Sequence, residues 1–63
     1  MTLKEARENS GMSPSEVAGS ARVSVSFLYK AEEGAEPVSR TLVARICQAL
    51  KVDIKSIEGL NLR

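Results

Sequence analysis

The sequence predicts an all-α fold of five short helices. Three observations predict it. A Thr, Ser or Asp stands ahead of each apolar-periodic segment as an N-cap. Apolar residues within those segments recur at helical spacing, and no segment alternates with the period of a strand. At 63 residues the chain makes one domain, expected over residues 1–59, with 60–63 as a C-terminal tail.

Thr2 caps a first helix running to Ser10, with Glu5 as the second half of a capping box and Gly11 as the stop. Leu3, Ala6 and Arg7 share one face, and Met12 follows as a core residue. Residues 13–34 organise the rest. Ser13 caps a second helix, with Pro14 in the first helical position and Glu16 three residues after the cap. That helix reaches Ser20 or Ala21 and turns Val17, Ala18 and Ala21 inward. Ser24 caps a third helix over 25–33, with Leu28 and Ala31 inward and Gly34 placed to close it in a left-handed conformation. Only two or three residues, centred on Arg22 and Val23, separate the two. This is the outline of a helix-turn-helix, whose second helix can enter the major groove of DNA.

Pro37 ends any continuation. Ser39 caps a fourth helix from Arg40 to about Leu50, where Leu42, Val43, Ile46, Cys47 and Leu50 form a wide apolar stripe. Asp53 caps a short fifth helix, Ile54 to Glu58, with Ile54 and Ile57 inward.

Composition narrows the chemistry. The net charge of +1 is low for a nucleic-acid binder, and what excess there is lies in residues 35–63. A single cysteine, Cys47, forms no intrachain disulfide and reads as a small core residue. Without histidine there is no zinc site, and no metal or cofactor is expected. No apolar run approaches the ~18 residues of a membrane span. The N-terminus lacks a signal-peptide core, so a soluble cytoplasmic domain is expected. No nucleophile–base pair, paired carboxylate site or phosphate loop is present, so no enzyme activity is expected.

Arg7 on the first helix is followed by Gly11-Met12-Ser13, then Glu16-Val17-Ala18, Val23-Ser24, Leu28, Glu32 and Gly34. Ser39 and a stripe ending in Ala49-Leu50-Lys51-Val52 come after the loop. In this combination the chain resembles the phage-repressor (Cro and Xre type) helix-turn-helix family over nearly its whole length. The resemblance implies a lambda-repressor-like domain and a sequence-specific, repressor-type transcriptional regulator. It implies a bacterial or phage cytoplasm as the setting, at the nucleoid when DNA-bound. It also implies a structural ion pair between Arg7 and Glu32, and a dimer contact near Ile57 to Leu62, with Leu60 and Leu62 as candidates.

Family positions that touch base edges fall on Val25, Ser26 and Lys30. Lys30 can donate to guanine, Ser26 can bond several bases, and Val25 or Phe27 can pack on a thymine methyl. Tyr29, Arg22, Ser39 and Arg40 are candidate phosphate contacts. Three features depart from the family pattern. Pro14 stands where a phosphate-binding Gln is usual, Arg22 stands where the turn usually has Gly, and the recognition helix is more apolar than most. The partner expected is double-stranded DNA, bound by a homodimer or by a longer protein containing this domain. The rival expectation is a protein-interaction module with Val25, Phe27 and Tyr29 as its docking patch.

Overall fold

Side-chain caps fix where each helix of the computed structural model begins, and all residues 1–63 are described. Helix α1 spans Leu3–Ser10, α2 Pro14–Ala21, α3 Val25–Glu33 and α4 Arg40–Leu50. The Thr2 and Ser13 boxes are both closed. Thr2 N–H donates to Glu5 Oε1 at 2.8 Å, and Glu5 N–H donates to Thr2 Oγ1 at 3.2 Å. Ser13 N–H donates to Glu16 Oε1 at 2.9 Å, and Glu16 N–H donates to Ser13 Oγ at 3.2 Å. Ser24 Oγ accepts Phe27 N–H, and Ser39 Oγ accepts Leu42 N–H. Each bond satisfies an amide that the helix itself leaves unpaired, worth about 1 kcal/mol per cap.

The helices end in left-handed residues. Gly11 and Gly34 do so without a Cβ penalty, whereas Arg22 and Lys51 hold φ 59° and 58° as side-chain-bearing residues.

Val17, Leu28, Val43 and Ile46 are completely buried at the centre, where α4 packs against α1 and α2, and α3 closes on α1 and α2. Burial of each such side chain contributes about 1.5–3 kcal/mol. Cys47 lies in the same cluster as a free thiol, and burial pushes its pKa up. Leu42 is only half-buried, so the stripe of α4 is narrower than expected.

The fifth helix does not form. Asp53 caps as expected, its Oδ1 accepting Lys55 N–H, but the segment makes only a single 3₁₀ turn, Ile54–Ser56. The backbone is already extended at Ile57 (φ −98°, ψ 125°), and Glu58 pairs as a parallel bridge with Thr2. Five residues are too few to nucleate a stable helix, and this pairing gives their backbone other partners. Ile57 is buried as expected, whereas Ile54 is half-buried.

Residues 60–63, expected as a tail, lie back against the body of the fold. Leu62 pairs with Val38, through Val38 N–H to Asn61 O at 2.8 Å and Arg63 N–H to Val38 O at 3.1 Å. Asn61 Nδ2 donates to Gly34 O at 3.3 Å. Leu60 and Leu62 are half-buried against the core.

Candidate nucleic-acid interface

Helix α3 begins with the Ser24 cap and puts Leu28 and Ala31 into the core. That registration decides what remains outside. Ser26, Tyr29 and Lys30 are exposed, Tyr29 at 45% of its surface. Val25 is half-buried at the first turn. Phe27 is half-buried and packs against the core, so it supports α3 more than it extends the outer face. The exposed trio combines a hydroxyl, a phenol and an ammonium, all of which donate hydrogen bonds.

The far end of α3 is fixed by the expected ion pair. Arg7 Nε donates to Glu32 Oε2 at 2.7 Å and Nη2 to Oε1 at 3.2 Å. The two side chains retain only 12% and 7% of their surface. The Glu32 hydrogen bonds, and secondarily its charge, raise the pKa of Arg7 further above its ordinary value. Arg7 is therefore committed to holding α1 against α3. Tyr29, Lys4 and Glu33 stand around the same pair.

Beside α3 lies a cleft of about 180 Å³ that brings together Phe27, Lys30, Ser39, Leu42 and Arg63. Lys30 and Ser39, both candidate site residues, line this one cleft. Arg63 was not expected, because residues 60–63 read as a tail. Pairing of Leu62 with Val38 carries it there, and no local pattern signals that long-range bridge. Glu36 also lines the cleft and offsets part of its positive charge. Arg40, at the first position of α4, is exposed.

Arg22 stands apart. It is exposed, holds the left-handed turn, and lines a different cavity with Arg45 of α4. At the start of α2, Pro14 has no N–H to give, and the Glu16 carboxylate is turned onto Ser13 N–H. Pro14 therefore gives this end of α2 no phosphate contact of its own.

Among His, Cys, Asp and Glu side chains there is no group of three that could hold a metal ion, and no helix is long and apolar enough to cross a membrane. The family model of the helix-turn-helix domain matches residues 1–58. No curated protein and no solved structure matches the chain.

Proposed function

The chain belongs to the helix-turn-helix domain family, and on that premise we propose that it is a sequence-specific DNA-binding transcriptional regulator of repressor type. Helix α3 lies in the major groove. One observation carries the reading: burial of Leu28 and Ala31 leaves Ser26, Tyr29 and Lys30 together on the open face of the second helix of the motif. Lys30 donates to guanine O6 and N7, Ser26 bonds a neighbouring base edge, and Val25 meets a thymine methyl at the groove wall. Tyr29 and Arg40 hold backbone phosphates on either side, and Ser39 and Arg63 add to the cleft beside Lys30.

A recognition helix with one cation binds a half-site weakly. Two copies on a palindromic site supply the missing affinity, because the second half-site is engaged at high effective concentration. The rival reading, a protein-docking patch of Val25, Phe27 and Tyr29, is weakened by the packing of Phe27 against the core. Titration of a mixed-sequence duplex at several salt concentrations tests the proposal. A DNA binder loses affinity linearly in log–log form as counterions are released. An absence of binding at low salt would instead favour the docking patch.

A further inference from the structure

We propose that the groove between the C-terminal end of α2 and the C-terminal half of α4 is a phosphate-binding site, in which Arg22 and Arg45 are the principal ligands. Its cavity of about 580 Å³ is lined by Ser20, Ala21, Arg22, Arg45, Gln48 and Ala49. Every polar side chain on that wall can donate: two guanidinium groups, a hydroxyl and an amide. No carboxylate lines it, although the chain carries eight acidic residues. Both ion pairs of the fold lie elsewhere, at Met1–Glu58 and Arg7–Glu32, so neither arginine is neutralised.

The arginines are also placed with respect to each other. Arg45 Nη2 donates to Arg22 O at 3.2 Å. That bond holds the Arg45 guanidinium at the end of α2 and offsets the negative helix end that would repel an anion. Its other N–H groups are left for a ligand, and the planar fork of arginine suits two phosphate oxygens at once.

Backbone geometry is a separate observation. Arg22 holds φ 59° and ψ 44°, a conformation that glycine adopts without penalty. It is the left-handed end of α2, as Lys51 is of α4, and it sets the Arg22 side chain on the wall of the cavity. None of Ser26, Tyr29 and Lys30 lines this cavity, so it is distinct from the outer face of α3. The groove is open to solvent, so a phosphate carried on a larger molecule reaches it as readily as a free one. That phosphate belongs either to a DNA strand or to a small phosphate ester. The site does not depend on the base-reading assignment.

The test is a heteronuclear NMR titration of the isotope-labelled chain with inorganic phosphate, at ionic strength held constant with chloride. Saturable shifts centred on Arg22, Arg45 and Gln48 are expected, with affinity reduced at least tenfold in Arg22→Gly and in Arg45→Gln. Arg22→Gly relieves the left-handed strain and is expected to melt no lower than the parent, so its loss of binding does not reflect unfolding. Shifts that follow ionic strength alone, saturation centred elsewhere, or unchanged affinity in both variants would overturn the proposal. A repeat titration in saturating duplex separates the sources. Loss of phosphate binding identifies the ligand as DNA backbone, and undiminished binding shows that duplex leaves the groove open to a phosphate from another source; the site stands in either case.

Discussion

A Cβ on Gly34 would lie 2.7 Å from the carbonyl oxygen of Gly59. The end of α3 and the C-terminal segment are thus in direct backbone contact, at a residue that also holds φ +69°. Gly34→Ala is therefore expected to cost more than about 2 kcal/mol, from left-handed strain plus displacement of the C-terminal segment at Gly59. Gly11→Ala is the control: it has φ +74° but open space around the added Cβ, so only the strain of about 1 kcal/mol applies. Thermal melts of the two variants check the difference. At about 4–8 °C per kcal/mol for a domain of this size, it is easily resolved.

The same contact gives residues 60–63 a structural role. Leu62→Ala removes a half-buried side chain that packs on the core, next to the pairing with Val38. A loss of about 1–2 kcal/mol is expected, below the range for fully buried leucines. Chemical denaturation measures it, and an unchanged midpoint would mean that the segment behaves as a free tail.

The Arg7–Glu32 pair is bidentate and nearly dehydrated. Removing one partner leaves the other charged and partly buried. Glu32→Ala is thus expected to lose about 3 kcal/mol, much of the stability a domain of this size has. Glu32→Gln retains the shape but not the charge and is expected to lose less. Denaturation of both variants separates the charge from the packing.

The capping-box carboxylates make stability pH-dependent. Hydrogen bonds from the Thr2 and Ser13 backbone amides, then from their hydroxyls, hold Glu5 and Glu16 below the usual glutamate value. Their folded pKa values lie below the unfolded ones, so the unfolded chain binds more protons. Their contribution is fully present above the unfolded value of about 4.3 and fades as pH falls through the folded values. Melting temperatures between pH 3 and 7 are expected to fall on the acid side, with a shallower fall in the Glu5→Gln, Glu16→Gln double variant.

The first four helices were legible because each begins with a side chain that bonds its own backbone three residues away. Thr2, Ser13, Ser24 and Ser39 carry that chemistry locally, and Gly11 and Gly34 mark two of the ends. The region after Asp53 was not legible, because its conformation is decided by partners distant in sequence: Met1 and Thr2 for Glu58, Val38 for Asn61 to Arg63. The candidate site divides the same way. The outward positions of Ser26, Tyr29 and Lys30 follow from the period that buries Leu28 and Ala31. The arrival of Arg63 beside Lys30, and of Arg45 beside Arg22, depends on tertiary contacts that no local pattern encodes.

The assignment of α3 as the reading helix is tested most directly by selecting binding sites from a random duplex pool, in parallel with the parent chain, Lys30→Ala and Arg40→Ala. The parent is expected to enrich a two-fold symmetric site. Lys30→Ala is expected to relax preference at one base pair per half-site, by about 1–3 kcal/mol, while Arg40→Ala weakens all sequences alike and leaves the preference intact. Enrichment of the same site with undiminished preference by Lys30→Ala, or no enrichment by the parent, would contradict the account.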